Sequence, residues 1–175
     1  MGQVRKGLII VNTGDGKGKT TAALGTALRA AGHGHKVMII QFMKGAWKYG
    51  ELEALKLIPQ IEILPLGGDF TWKKETLDED RRLARIAWEK SKQAVSSGNY
   101  QMVVLDELNY ALGYGLLPVE EVVEFLCHKP PDLHIIITGR RAKDEVLELA
   151  DLVTEMREVK HPFQKGIKAQ KGVEY

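Results

Sequence analysis

The residues of this chain whose types and spacing suit chemistry fall in two places, a glycine cluster holding Lys19 and Thr20 and an acidic pair, Asp106 and Glu107. The cluster reads TGDGKGKTT, from Thr13 to Thr21, and stands between an apolar run and a helix-forming stretch. That context separates a phosphate loop from a chance run of glycines. Glycines let successive backbone N–H groups converge on phosphate oxygens, and a helix N-terminus adds positive potential. Lys19 supplies a full charge, and Thr20 is placed to offer its hydroxyl to magnesium or manganese. The usual pattern is glycine, four residues, then Gly-Lys-Ser/Thr. Counted back from Gly18, that first glycine falls on Thr13; counted from Gly14, the loop is one residue short. The loop is a variant, and Thr13, Gly14, Asp15, Gly16, Lys17, Gly18, Lys19, Thr20 and Thr21 are expected to hold a nucleoside triphosphate. A flexible turn carrying a solvated lysine is the plainer alternative, and it leaves the flanking elements unexplained.

Asp106 and Glu107 end the run MVVLDE, at the carboxyl end of a strand, where open α/β sheets bind their ligands. Acidic oxygens there hold a divalent ion directly or through its water. Lys19, Thr20 and Glu107 are the catalytic candidates, and Thr20, Asp106 and Glu107 the metal candidates; a pair of solvated turn carboxylates is the alternative. Three further cations sit at strand ends. Lys44, in QFMKG, is expected either to meet phosphate or the amides of a second ligand or to be solvated, and Arg140, beside Arg141 in TGRR, is expected to meet the nucleotide or an acidic ligand. The five histidines lack metal-ligand spacing with each other or with the single cysteine. Cys127, in VEFLCHK, is read as a small buried hydrophobe.

Positioning these residues requires alternating elements. The apolar runs are Gly7–Asn12, Lys36–Phe42, Ile61–Leu64, Met102–Asp106, Leu133–Thr138 and Leu152–Met156, separated by amphipathic stretches. This alternation is the signature of βα units around a largely parallel sheet, so the fold class is α/β, one P-loop domain over 1–175. A helix is expected over Lys19–Ala31 with Gly32 as a left-handed cap. Thr76 and Glu79 form a capping-box pattern before a second helix, with Leu83, Ala84, Ala87, Ser91, Ala94 and Val95 inward and Gly98 closing it. Pro118 suits the start of a third, with Val119, Val122, Val123 and Leu126 on its inner side, ending before Pro130 and Pro131.

Composition excludes several classes. With 175 residues, 44% of them hydrophobic and a formal charge of +2, the chain is neither disordered nor a broad cationic surface for nucleic acid. No apolar stretch approaches ~18 residues, and the start MGQVRKGLIIVNTG runs into the glycine loop where a signal peptide needs a cleavage site. A cytoplasmic protein without a membrane partner is expected.

Taken together, TGDGKGKTTAALG, QFMKG, DFTW, VVLDELNYAL, TGRR and the ending GIKAQKGVEY resemble the bacterial ATP:corrinoid adenosyltransferase family, in order and over nearly the whole chain. The resemblance implies a RecA-like fold, ATP held in the sense opposite to standard P-loop enzymes, and a corrinoid as second substrate. The implied reaction is attack by cobalt(I) on the 5′ carbon of ATP with triphosphate leaving. It further implies a homodimer, an electron-donating flavoprotein as partner, and a C-terminal ending that lies near the nucleotide or the loop. Phe70 and Trp72, by resemblance, occupy the lower face of the corrin and exclude its axial ligand; read from spacing alone they are a hydrophobic cluster. Only six residues precede Gly7, whereas some relatives carry a longer segment that helps close the site. Two other readings share the loop and the acids: a small-molecule P-loop kinase, which releases ADP, and a RecA-like ATPase switch, which releases phosphate.

Overall fold

The computed structural model describes residues 6–44, 49–68 and 77–174. Six strands form one sheet: β1 (Ile9–Thr13), β2 (Val37–Gln41), β3 (Ile61–Pro65), β4 (Met102–Asp106), β5 (His134–Thr138) and β6 (Leu152–Glu155). Their order is β3-β2-β4-β5-β1-β6, and every pairing is parallel. Parallel neighbours require crossovers, which the helices provide: α1 (Lys19–Gly32), α2 (Gly50–Leu55), α3 (Asp78–Ser96), α4 (Leu108–Gly113), α5 (Val119–Cys127) and α6 (Asp144–Leu149).

The helices cover both faces, so the inner strands are buried on both sides. On one face α1 presents Ala23, Ala27, Ala30 and Ala31 to Val37, Ile39, Met102, Val104 and Ile136, with Leu55 of α2 beside them. Alanines at this helical spacing let α1 lie close to the sheet. The other core joins Ile40, Val103, Leu105, Ile135 and Ile137 to α3, α4, α5 and α6. Strands β3 and β6 are the two edges, and the four residues of β6 are exposed. Among the described residues no helix is long and apolar enough to cross a membrane.

All six expected strands form. The inner face of α3 contains Ala84, Ala87, Ser91, Ala94 and Val95 as expected, while Leu83 is only partly buried and Trp88 is wholly buried. Trp88 donates from Nε1 to Glu121 Oε1 at 2.8 Å and meets Phe125 edge-on, the centroids 5.4 Å apart. Two expectations fail. Helix α1 continues through Gly32, and the left-handed glycine is Gly34, with φ 78°. Cys127 is exposed, because it ends α5 one residue beyond Leu126, which fills the inner face. Gly98 does take the left-handed turn after α3, and Thr76, the expected cap, lies outside the described residues.

Candidate active site

The carboxyl ends of β1, β2, β4 and β5 converge on one cleft. Between β1 and α1 the phosphate loop turns tightly. Gly14 sits at φ 91°, and a Cβ there would lie 2.5 Å from the Met156 carbonyl oxygen, so no side chain fits. Met156, just beyond β6, accepts the Gly16 N–H at 2.6 Å and donates its own N–H to Thr13 at 2.8 Å. The edge strand thereby braces the loop from behind. Gly18 precedes α1 with no side-chain cap and no acid in the first turn, which leaves the positive end of the helix facing the cleft.

Lys19 is 8% exposed and curls onto its own loop, donating from Nζ to the Gly14 and Gly16 carbonyls at 2.8 and 2.6 Å. Burial lowers its pKa, with Arg140 adding to the effect against the pull of Glu107 and Asp15. Phosphate oxygens are stronger acceptors than carbonyls, so the lysine is poised to exchange one set for the other.

Asp106, 1% exposed, is the hub beneath the cleft. Its Oδ1 accepts the Thr20 hydroxyl at 2.8 Å and the Thr138 hydroxyl at 2.7 Å, and its Oδ2 accepts Gln41 Nε2 at 3.0 Å. Lys44 Nζ lies 3.6 Å from Oδ2, bonds Glu51 at 2.7 Å, and stands over the Tyr49 ring at 4.7 Å. Burial works against the Lys44 charge, but Asp106 and Glu51 outweigh it and raise its pKa. Lys44 is therefore not a solvated side chain.

Glu107 differs from its neighbour. It sits at φ 64° as the residue preceding α4, and its buried Oε2 accepts no hydrogen bond. Burial, and secondly the adjacent Asp106, push its pKa up to about 7 against the pull of Lys19, Lys44 and Arg140. A buried carboxylate oxygen without a protein donor can serve a divalent ion brought in with phosphates, whose charge offsets the cations around it. Two carboxylates and a hydroxyl are the hard oxygen set that magnesium shares with substrate phosphates.

The cleft encloses about 470 Å³. Of the residues expected there, Gly16, Lys17, Gly18, Lys19, Thr20, Thr21, Glu107 and Arg140 line it. Thr13 lies behind it, its hydroxyl accepting the Ala142 N–H at 3.3 Å, and Asp15 faces Arg140 at 3.9 Å. Phe70 and Trp72 lie outside the described residues. The C-terminal ending lies against the loop: Gly172, Val173 and Glu174 line the cleft, and Glu174 pairs with Lys17 at 3.0 Å.

Four further residues at the site, Gln41, Tyr49, Tyr110 and Thr138, carry no distinguishing signal in the sequence. Gln41 and Thr138 end strands β2 and β5, a strand-end position that applied equally to the residues singled out. Tyr110 lies three residues after Glu107 and stacks with Tyr114, centroids 6.1 Å apart, beside a second hollow of about 340 Å³ that also touches Arg140.

Comparison with known proteins agrees with this fold. The chain is similar to the RadB recombinase over 90% of its length and 78% of that chain, with TM-score 0.54 and 15% identity. A KaiC-like protein from Pyrococcus horikoshii matches with TM-score 0.50 and 19% identity over 89% of this chain and 74% of that one. These likenesses establish a RecA-like P-loop fold. A corrinoid adenosyltransferase of Escherichia coli K12 is 47% identical over 99% of this chain and 88% of its own, and Corrinoid adenosyltransferase CobA of Salmonella typhimurium is 45% identical with the same coverage. Residues 5–175 match the family profile described as ATP:corrinoid adenosyltransferase BtuR/CobO/CobP. The chain belongs to that family of transferases, which move an adenosyl group from ATP to a corrinoid.

Proposed function

We propose that the cleft binds ATP with a divalent ion and that the cobalt(I) of a reduced corrinoid attacks the 5′ carbon, expelling triphosphate. The observation that carries this reading is the composition of the cleft. It gathers Lys19, Thr20, Lys44 and Arg140 for an anion, yet no serine, cysteine or histidine is among the described residues lining it. Cobalt(I) is already a strong nucleophile, so the protein has none to create. The lone pair of cobalt forms the cobalt–carbon bond while the carbon–oxygen bond breaks, and its electrons leave on the α-phosphate oxygen of triphosphate. The protein contributes alignment and charge neutralisation.

Lys19 and the loop N–H groups take the phosphates. Thr20 donates its proton to Asp106, which leaves its oxygen lone pairs available to magnesium or manganese, and Glu107 offers the carboxylate oxygen that has no protein partner. Bound there, the ion would offset charge that builds on the departing triphosphate. By resemblance to the family, Phe70 and Trp72 pack the lower corrin face, electrons come from a flavoprotein, and the enzyme is a cytoplasmic homodimer.

Glu107 also favours a second reading. A buried carboxyl with a pKa of about 7 suits a general base that activates water or a hydroxyl, as in an ATPase or kinase. Incubation with ATP and magnesium but no corrinoid separates the two. Displacement predicts no ADP and no phosphate; steady release of either would favour the hydrolytic or phosphotransfer reading.

A further inference from the structure

Thr138 closes β5, the strand between the loop strand β1 and the acid strand β4. It is 0% exposed and bonds both acids through one hydroxyl, donating to Asp106 Oδ1 at 2.7 Å and accepting from the Glu107 N–H at 2.9 Å. Asp106 is thereby surrounded. Thr20 and Thr138 occupy Oδ1, Gln41 occupies Oδ2, and Lys44 stands near it. Three of its roughly four acceptor positions are used within the protein, which leaves one on Oδ2.

The backbone of Glu107 is left-handed, a conformation in which the Cβ of an ordinary residue is crowded. Such a conformation persists where the surroundings over-determine it. The Thr138 hydroxyl supplies that constraint by fixing the Glu107 N–H. Next to it, Gly139 at φ 125° keeps the space open: a Cβ there would lie 2.9 Å from Asn109 Cβ and 3.2 Å from Glu107 Oε2.

We infer that Thr138 is a positioning residue that turns Glu107 toward the ion site and keeps Asp106 as the internal scaffold of that site. The inference rests on the metal role proposed above for Glu107. Groups that orient a ligand from behind typically change metal affinity by about 10- to 100-fold when removed.

The test measures ATP binding without corrinoid, by calorimetry, in EDTA and at saturating manganese. The wild-type protein is expected to bind ATP more tightly with manganese. Thr138→Val should lose that gain by about 10- to 100-fold while its affinity in EDTA stays unchanged, and Thr138→Ser should restore the gain. Thr138→Ala gives the same readout if the valine variant fails to fold. A full manganese gain in the valine or alanine variant, or an equal loss in EDTA, would overturn the inference. Glu107→Gln serves as the reference. If it keeps the manganese gain, the metal role of Glu107 has failed; if it loses the gain while Thr138→Val keeps it, only the role of Thr138 has failed.

Discussion

Glu107→Gln should cripple the enzyme and stabilise the protein, and the two effects have one cause. The carboxyl is buried with an unpartnered oxygen, and its pKa stands at about 7 against an ordinary 4.5. At about 1.36 kcal/mol per tenfold change in proton affinity, ionising it in the folded protein carries a penalty of roughly 3 kcal/mol. The sign follows from linkage. Between 4.5 and about 7 the folded state binds the proton that the unfolded state has lost, so stability falls as pH rises through this window and the full penalty applies above it. Glutamine keeps the shape and never ionises. At pH 8.5 the variant is therefore expected to be more stable by up to roughly 3 kcal/mol, about 6–12 °C in Tm for a chain of this length, and near pH 5 the difference should shrink to about 1 kcal/mol or less. Urea unfolding of the metal-free proteins at both pH values reads the difference, and groups remote from Glu107 titrate alike in each. A stability difference independent of pH, or a variant less stable at pH 8.5, would show that Glu107 carries no such ionisation penalty. The same variant should show much weaker metal-dependent adenosylation.

Asp106→Asn should do the opposite to stability, because three donors lose a charged acceptor at a buried site; a loss of about 3 kcal/mol is expected, and thermal melting within 2 °C of wild type, against about 6–12 °C for that loss, would contradict it. Lys19→Ala should leave the fold intact yet weaken ATP binding by about 100-fold or more, since two charge-assisted bonds are worth roughly 1.5–3 kcal/mol each. Near-normal affinity by calorimetry would remove Lys19 from the phosphate site. Phe70→Ala or Trp72→Ala should lose far more activity starting from cob(II)alamin with a protein reductant than from chemically prepared cob(I)alamin. Each ~59 mV of shift in a one-electron couple corresponds to about 1.4 kcal/mol, a scale that packing of two rings influences; equal losses in both assays would point to a general binding defect instead.

The sheet was legible because its inner strands are covered on both faces and read as apolar runs. Helices α2, α4 and α6 were not, since six residues are too few for a periodic signal. Trp88 escaped notice among charged neighbours because its burial depends on Phe125 and Glu121, more than thirty residues further on. Cys127 looked internal from its apolar neighbours, yet one step past Leu126 turns a side chain about 100° around the helix. At the site, the loop and the acid pair were visible from context. Their division of labour was not, because it is set by Gln41, 65 residues from Asp106, and Thr138, 32 residues away.

Transfer of the adenosyl group by displacement is tested by its products. Chemically reduced cobalamin, ATP and magnesium should be incubated anaerobically with the protein, and inorganic triphosphate and the organocobalt product quantified in the same sample. Displacement yields one triphosphate for each cobalt–carbon bond formed, with neither ADP nor pyrophosphate accumulating in proportion. ADP or phosphate produced in step with ATP loss, without an organocobalt product, would contradict it.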